Sequence, residues 1–416
     1  MRVLWLTNTP PPAVSDKVKY NGGGWVSSLG DALAGKVELG VAFISGTHDS
    51  PSVYGGIKFF PVYDRYDHSR GDRIRKLLLG NHVETSWLIA SLAGVVREFR
   101  PDVVEVFGSE RMYGLIADKV NVPVVLHIQG ILEECRKSFI PPGMSMLQYY
   151  MSGRSVAGIF GKYYYASSFR RRCRQERRIF RMVSHYIGRT AWDRDYLRRV
   201  NPDAEYFHLD EILRNPFYDN AGKWNARHGS VPEIVTTISE APFKGMDVVL
   251  RTADILRNRM GIDFVWKVYG NVDVGLFEKL TGISAEKSGV VLMGVASAGQ
   301  LADALVTAAA YVHPSYVENS PNSLCEAQMI GVPCVAADTG GIPSIIDNGI
   351  TGVLVRKGDS EAFAGAVARI LGSLDFASRL GAASARAASL RHDRGVIVTG
   401  LLSIYRTLIE KTKELA

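Results

Sequence analysis

Cysteine is scarce in this chain. Among its 416 residues there are four cysteines, and no two of them form a C-x-x-C pair. Disulfide frameworks and thiolate zinc sites need closely spaced cysteines, so the sequence excludes the small disulfide-rich classes and predicts free thiols in a reducing compartment. The four are Cys135, Cys173, Cys325 and Cys334.

Long apolar runs are also missing. No stretch reaches the roughly 20 apolar residues that a membrane-spanning helix needs. The apolar segment 1–6 is soon followed by the three prolines of 10–12, which is typical of a first buried strand and not of a signal peptide. We therefore expect a cytoplasmic protein.

Two familiar phosphate-site patterns are absent. The dinucleotide pattern G-x-G-x-x-G does not occur, and no D-x-D stands where it would present a metal ion to a diphosphate. We therefore expect neither a bound metal nor a dinucleotide cofactor.

The composition indicates a globular protein with a positive surface. It is 46% hydrophobic and 22% charged, with a net charge of +7. This charge favours anionic partners such as nucleotide diphosphates and phospholipid headgroups. Nucleic acid would suit the charge, but no nucleic-acid-binding motif accompanies it, and we do not expect it as a partner.

Strand-like and helix-like segments alternate along the whole chain. This alternation predicts an α/β protein with doubly wound parallel sheets, which bind ligands beyond the carboxyl ends of their strands. The length favours two domains, placed at 1–217 and 218–390. Apolar residues at helical spacing predict a further helix within 391–416.

The most informative stretch runs from Tyr311 to Pro343. A short apolar strand ends at His313, and Ser320 and Pro321 are predicted to begin a helix, with serine as its N-cap. The segment 334–337 is a second buried strand. The free N–H groups at such a helix start suit an anion such as a diphosphate.

Two carboxylates flank that helix start, Glu318 on the loop and Glu326 on the helix. Their E-x7-E spacing, the preceding H-P-S, the following E-A-x-x-x-G-x-P and the later G-G-x-P together resemble the retaining GT-B glycosyltransferases of the GT4 family (glycosyl transferases group 1). The resemblance covers about residues 233–372 closely and the N-terminal domain in outline.

This resemblance implies two Rossmann-like domains facing a central cleft, with the C-terminal helix crossing back to the first domain. It implies transfer of a sugar, with retention, from a nucleotide diphosphate sugar to a glycan or lipid-linked acceptor. A UDP-sugar is the favoured donor, and synthesis of cell-surface polysaccharide or glycoconjugate the favoured context. No cofactor beyond the nucleotide sugar is implied.

The resemblance also assigns roles to individual residues. Glu326 is expected to bind the ribose hydroxyls and Glu318 the hydroxyls of the donor sugar. Lys244, in a K-G turn, is expected at the diphosphate, and His127, at a strand end, at the donor sugar. The remaining expected donor contacts are Gly22, Gly23, Gly24, Gly270, Asn319, Ser320, Asn322 and the amides of Ser323 and Leu324.

One position departs from the family pattern. The family usually has an arginine six positions before the lysine, where this chain has Ile238. The missing cation could be replaced by the glycine-run amides, by the amides of Ser323 and Leu324, or by an arginine from elsewhere.

Residues 144–182 interleave aromatic residues with a series of arginines. They predict either a long helix with a solvated basic face or a surface for anionic lipid or a phosphate-bearing acceptor. The second interpretation implies peripheral attachment to the inner face of the plasma membrane. The arginines are Arg170, Arg171, Arg172, Arg174, Arg177, Arg178 and Arg181.

Two other functions remain open at this point. An inactive relative that only binds nucleotide sugars is favoured by Ile238, whereas Lys244, Glu318 and Glu326 oppose it. A sugar-nucleotide epimerase has a similar two-domain build, but a different arrangement of carboxylates.

Overall fold

A computed structural model describes residues 1–8, 24–64, 71, 82–153, 155–225 and 231–414. The predicted donor contacts Gly22 and Gly23 lie outside these residues. Within them, the strands form two separate sheets, as the alternating pattern predicts.

The first sheet has eight strands in the order β3-β4-β2-β1-β5-β6-β7-β8. Its strand pairs are parallel, apart from the antiparallel pair of β3 and β4. The strands are β1 Arg2–Leu6, β2 Glu38–Ser45, β3 Ser52–Tyr54, β4 Ile57–Tyr63, β5 Val103–Phe107, β6 Val124–His127, β7 His185–Gly188 and β8 Glu205–His208.

The second sheet has six strands, all parallel, in the order β11-β10-β9-β12-β13-β14. Its central strands are buried on both faces, which fits their continuous apolar runs. The strands are β9 Glu233–Thr237, β10 Val265–Tyr269, β11 Val290–Gly294, β12 Ala310–His313, β13 Cys334–Asp338 and β14 Val353–Arg356.

Helices cover the faces of both sheets. The helices of the first half are Gly24–Leu33, His82–Phe99, Leu132–Lys137, Met146–Met151, Val156–Met182, Ala191–Val200 and Asn215–Asp219, with a 3-10 turn at Met112–Asp118. Those of the second half are Met246–Asp254, Val274–Thr281, Ala298–Thr307, Asn322–Ile330, Ser360–Gly372, Leu374–Arg391 and Arg394–Glu414, with 3-10 turns at Pro242–Lys244 and Ile342–Ser344. A π-helical turn, Ile255–Arg259, continues the helix Met246–Asp254.

The last helix, Arg394–Glu414, is called the C-terminal helix below. It leaves the second half of the chain and buries Leu401, Tyr405 and Leu408 in a core cluster shared with β1. The Trp5 indole N–H donates to the Tyr405 hydroxyl at 3.0 Å, inside this cluster. Residues about 400 positions apart are thus in direct contact.

Two details of the sequence-based expectations were wrong. The helix after Glu318 begins at Asn322 with Pro321 as N-cap, because the Ser320 hydroxyl donates to Glu211 and makes no cap. The stretch 144–182 forms two helices, separated around Gly153.

None of the helices in the described ranges combines the length and the apolar character that crossing a bilayer requires.

Candidate active site

A cavity of about 350 Å³ lies between the two sheets. Parallel strands place polar residues at their carboxyl ends, and both sheets contribute such residues here. The first half of the chain supplies Gly24, Trp25, Gln129, Arg189 and Arg214. The second half supplies Thr237, Ile238, Ser239, Lys244, Tyr269, Gly270, Val295, Ala296, Leu301, His313, Glu318, Ser320, Pro321, Asn322, Ser323 and Glu326.

Glu318 is held by two donors at the cavity wall. Lys244 Nζ lies 2.5 Å from its Oε1, and His313 Nε2 lies 3.2 Å from the same oxygen. Burial alone would raise the pKa of Glu318, but Lys244 and His313 outweigh it and hold the pKa well below its ordinary value. Glu318 is therefore an ionised hydrogen-bond acceptor at neutral pH and not a proton donor.

The G-G-x-P turn supports the loop that carries Glu318. Gly340 has φ +57°, and a Cβ there would lie 1.8 Å from the Glu318 carbonyl oxygen. The amide of Gly341 donates to that same carbonyl at 3.0 Å. A side chain at position 340 would push the loop away, so this glycine fixes where Glu318 stands.

Gly270 plays a similar part on the opposite wall. It has φ +117°, and a Cβ there would meet the Ile238 carbonyl oxygen at 1.9 Å. The chain ends of β9 and β10 therefore approach closely only because this residue is glycine. Ile238 and the helix Asn322–Ile330 both line the cavity. This helix is called the site helix below.

Glu326, on the site helix, is buried and fully engaged. Arg214 Nε and Nη2 each donate to one of its carboxylate oxygens at 2.7 Å, a bidentate pair. Burial raises the pKa of Glu326, and Arg214 only partly offsets that. The pair links the site helix to the segment that crosses between the two halves of the chain.

Two arginines line the cavity together with the uncharged Ile238. Ile238 itself is buried in the core of the second half. Arg214 lines the cavity as Glu326's partner, and Arg189 lines it from the end of β7. Arg189 Nε lies 3.2 Å from Glu211 Oε2, and its guanidinium lies 4.4 Å from the centre of the Trp25 ring.

A small hydrogen-bond network organises the floor of the cavity. The Tyr311 hydroxyl donates to Ser323 Oγ at 2.9 Å and lies 2.8 Å from Thr237 Oγ1 and 3.3 Å from His313 Nδ1. The ring of His313 is thereby fixed with Nε2 facing Glu318. The network connects the site helix to the ends of β9 and β12.

Most of the predicted donor contacts that can be located lie together. Lys244, Glu318, Glu326, Ser320 and Ser323 line the cavity, as do Gly24, Gly270 and Asn322. The Asn322 Oδ1 atom is buried and has no hydrogen-bond partner among the described residues, which marks it as available to a ligand.

Asn319 and Leu324 are placed differently from our expectation. The Asn319 side chain turns toward the first half of the chain, where it accepts from Thr190 Oγ1 at 2.7 Å and donates to Asp193 Oδ2 at 2.9 Å. The Leu324 amide donates to the Pro321 carbonyl at 2.9 Å within the helix start, so it is not free for a phosphate.

His127 lies behind the cavity and does not line it. It is buried, its Nδ1 lies 2.9 Å from Glu105 Oε1, and Trp25 packs against its ring with 5.4 Å between centres. Burial lowers the pKa of His127, so the ring is neutral at physiological pH. Its role at the donor sugar stays a prediction that would require Trp25 to move.

One group of possible metal ligands lies near the site helix. Ligand atoms of Glu211, Cys325 and His392 lie within 4.8 Å of one another, and all three residues are buried. Arg189 and Ser320 already engage the Glu211 carboxylate, which leaves it little charge for a cation. Among the described residues this is the one such group.

Sequence reasoning missed several residues of the cavity wall, among them Arg189, Arg214 and Trp25. Each comes from the first half or the crossing segment, where no motif marks it. It also gave no role to His313, although the H-P-S motif contains it and could have suggested one.

Comparison with protein families gives a match over the second half of the chain. Residues 232–373 match the family model described as Glycosyl transferases group 1. This interval contains Lys244, Glu318 and Glu326.

Curated relatives match over a similar portion. A D-inositol 3-phosphate glycosyltransferase from Streptomyces griseus is 34% identical over 153 residues, which is 35% of this chain and 32% of that protein. A protein of the same description from Rhodococcus erythropolis is 30% identical over 178 residues, 40% of this chain and 39% of the relative. The matched segment thus spans about a third of these relatives.

Solved structures resemble the whole chain. Sucrose-phosphate synthase from Thermosynechococcus elongatus superimposes with a TM-score of 0.73 at 16% identity, covering 99% of both chains. WaaG, a glycosyltransferase involved in lipopolysaccharide biosynthesis, gives 0.67 at 14% identity, covering 97% of this chain and 99% of WaaG. HepE from Anabaena, in complex with UDP and glucose, gives 0.65 at 14% identity, covering 98% and 100%.

Proposed function

From the premise that this chain has the GT-B fold and carries a glycosyl transferases group 1 domain at residues 232–373, we propose that it is a glycosyltransferase. The observation that carries the proposal is the convergence of Lys244, Glu318 and Glu326 on one cavity between the two sheets. The first relatives are matched over a third of their length, so their own substrates are not transferred to this chain.

We propose a nucleotide diphosphate sugar as the donor, with a UDP-sugar favoured. HepE, which shares the fold, binds UDP and UDP-glucose. In this chain the start of the site helix and Lys244 supply N–H groups and a point charge for the diphosphate. Arg189 and Arg214 replace the cation that Ile238 lacks.

The proposed chemistry follows from these groups. The leaving diphosphate gains negative charge as the sugar departs, and preorganised cations stabilise that charge in a site shielded from water. Glu318, kept ionised by Lys244 and His313, accepts hydrogen bonds from sugar hydroxyls and orients the sugar. Glu326 does the same for the ribose, sharing its oxygens with Arg214.

We propose transfer with retention of configuration and without a metal ion. Lys244 and His313 lower the pKa of Glu318, which makes it a weak base, and Glu326 lies in a bidentate pair with Arg214. Attack on the same face, assisted by the leaving phosphate, fits this arrangement. NMR of the anomeric proton in the first-formed product tests it.

We propose that the acceptor is a glycan or lipid-linked glycan of cell-surface polysaccharide or glycoconjugate synthesis, and that the protein works in the cytoplasm at the inner face of the membrane. Large apolar side chains are exposed on the helices Met146–Met151 and Val156–Met182, the second being called the long helix below. Among them are Leu147, Met151, Val156, Phe160 and Tyr163, which are called the apolar patch below. Exposed large apolar groups suit a bilayer surface, and the net charge of +7 favours an anionic one.

Donor binding is tested by a thermal-shift series with UDP, GDP, ADP and their sugars. A ligand that binds only the native state raises Tm by mass action. We expect a shift with UDP that is lost in Glu326→Ala and kept in Glu286→Ala, an exposed glutamate remote from the cavity. If Glu326→Ala keeps the Tm shift with UDP, Glu326 does not bind the nucleotide.

A further inference from the structure

A second and larger cavity, of about 910 Å³, lies on the first half of the chain. It is bounded by the helix His82–Phe99, the 3-10 turn Met112–Asp118 and the C-terminal part of the long helix, and is called the basic groove. Among the described residues, seven cationic side chains and one carboxylate line it. Neither the cavity between the sheets nor the apolar patch includes any of these residues.

The positive charge of the basic groove is mostly uncompensated. Its carboxylate, Asp118, lies 3.4 Å from Lys119. Five of its arginines make no salt bridge within the described part of the chain: Arg97, Arg111, Arg172, Arg174 and Arg178. Like charges gathered in one concave surface repel one another unless an anion is bound, so the groove is built to receive negative charge.

The other lining residues indicate what kind of anion fits. Thr85, Ser86, Ser168 and Gln175 add hydroxyl and amide groups, which are suited to sugar hydroxyls. Tyr164 contributes an aromatic ring, with the Arg171 guanidinium 6.0 Å from its centre. These groups favour a polyhydroxylated ligand over a bare phosphate ion.

A bilayer is a poor match for this surface. The apolar members of the groove, among them Ile89, Ala93 and Leu115, are buried in its floor. No lining residue belongs to the exposed large apolar side chains of the described structure, which on the long helix stand in its N-terminal half. The two halves of the long helix therefore present different chemistry.

Glu110 and Gly108 lie between a residue of the basic groove and a residue of the central cavity. Arg111, at its edge, follows directly on Glu110, whose carboxylate lies over Gly108 at the end of β5. Gln129, which lines the central cavity, has its side chain against the same Gly108 position. Burial raises the pKa of Glu110, and the charges of Arg172, Arg111 and Arg189 oppose that rise. Arg172 and Arg111 line the basic groove, and Arg189 lines the central cavity.

We propose that the basic groove binds an anionic glycan, a chain of sugars bearing carboxylates or phosphates, as the acceptor of the transferase. This rests on the proposed function and adds the class of its acceptor. Arginine pairs bidentately with either anion, so the groove accepts both chemistries. The end of the glycan that receives the sugar then passes Glu110 toward the donor.

The test measures binding by calorimetry with tetragalacturonate, uncharged maltotetraose and inorganic pyrophosphate. The groove variant carries Arg174→Glu and Arg178→Glu, two exposed arginines that make no salt bridge in the described structure. The control carries Arg170→Glu and Arg181→Glu, which change the net charge equally on the same helix outside the groove. UDP binding is measured on all three proteins.

We expect wild type and control to bind tetragalacturonate alike, the groove variant to bind it at least about 10-fold more weakly, and maltotetraose not to bind. Binding of pyrophosphate but not tetragalacturonate, lost in the groove variant, would overturn the glycan and leave a site for bare phosphate. Equal loss in both variants, or equal binding of maltotetraose, would overturn the proposal, as would no binding of either anion by protein that binds UDP. If the wild-type protein does not bind UDP, that result would instead contradict the proposed function.

Discussion

At the scale of single residues, the central cavity is a series of buried charge pairs. Lys244 pairs with Glu318, Arg214 with Glu326, and Arg189 with Glu211. Burying such a pair gives little net stability, but removing one partner leaves a buried charge alone. The cations a donor diphosphate would meet are therefore held in place before it arrives.

Replacing Lys244 by methionine tests this arrangement. Glu318 would keep only His313 as partner, and we expect a loss of about 3 kcal/mol in the free energy of unfolding at pH 7. In wild type the pKa of Glu318 is lowered, so its contribution is present above the unfolded-state pKa and is lost only as pH falls through the folded one. In Lys244→Met, burial raises the pKa of Glu318 without opposition from Lys244. Acidification therefore protonates Glu318 at a higher pH than in wild type and removes the cost of burying its charge.

The difference between the two proteins should thus be largest at neutral pH and shrink toward pH 5, as measured by urea unfolding across that range. Lys267→Met is a matched control, since Lys267 forms a more exposed pair with Glu233 at 2.5 Å and should cost about 1 kcal/mol or less. A difference that does not depend on pH would show that Glu318 is not the group left unpaired.

Sequence alone could identify one side of this site. Lys244, Glu318 and Glu326 stand in local motifs, and a motif fixes its residues relative to one strand end or one helix. Arg189 and Arg214 reach the cavity because two sheets face each other, and no local pattern encodes that. Asn319 shows the same limit, since its side chain contacts Thr190 and Asp193, more than 120 positions earlier.

At the scale of secondary-structure elements, the strands of the two sheets were the easiest to predict. Buried parallel strands are continuous apolar runs bounded by polar residues, as in Val103–Phe107. Ends and short edge elements were harder. Ser320 resembles an N-cap in sequence, but a distant carboxylate, Glu211, takes its hydroxyl. The alanine-rich helix Leu374–Arg391 has no strong apolar stripe, and the sequence did not reveal it.

The C-terminal helix is tied to the first sheet by a buried hydroxyl. Tyr405 accepts from Trp5 and donates to Glu105, whose other oxygen holds His127. Tyr405→Phe leaves the indole N–H and a carboxylate oxygen without this partner, and we expect unfolding free energy to fall by about 1–3 kcal/mol. Tyr163→Phe, at an exposed position, should change it by less than about 0.5 kcal/mol. Equal effects of Tyr405→Phe and Tyr163→Phe in urea unfolding would show that the Tyr405 hydroxyl does not stabilise the fold.

At the scale of the whole molecule, the first half of the chain presents two surfaces of different character. The apolar patch lies on the helix Met146–Met151 and the N-terminal half of the long helix, whereas the basic groove includes the part of the long helix that follows it. A protein that takes a glycan acceptor at a membrane surface would use the first to attach and the second to hold its substrate.

The apolar patch predicts attachment to anionic vesicles. Wild type should sediment with them, and salt should release it, because screening weakens the attraction of anionic lipid to the net positive charge of the protein. Met151→Ser with Phe160→Ser should weaken the binding constant for vesicles on the order of 100-fold, because burial of two large apolar side chains contributes about 3 kcal/mol. Leu390→Ser with Val396→Ser, at exposed apolar positions elsewhere, should not. Equal binding to neutral vesicles, or no binding to either kind, would contradict the prediction.

The most direct measurement of the central claim is the release of nucleotide from a panel of UDP-, GDP- and ADP-sugars, with and without acceptor glycans. We expect wild type to release UDP from one or a few donors, and Lys244→Met to be at least about 100-fold slower because the leaving diphosphate loses its nearest cation. If folded wild-type protein releases no nucleotide from any donor, with or without an acceptor, the chain is not a glycosyltransferase. The cavity of Lys244, Glu318 and Glu326 would then be at most a binding site.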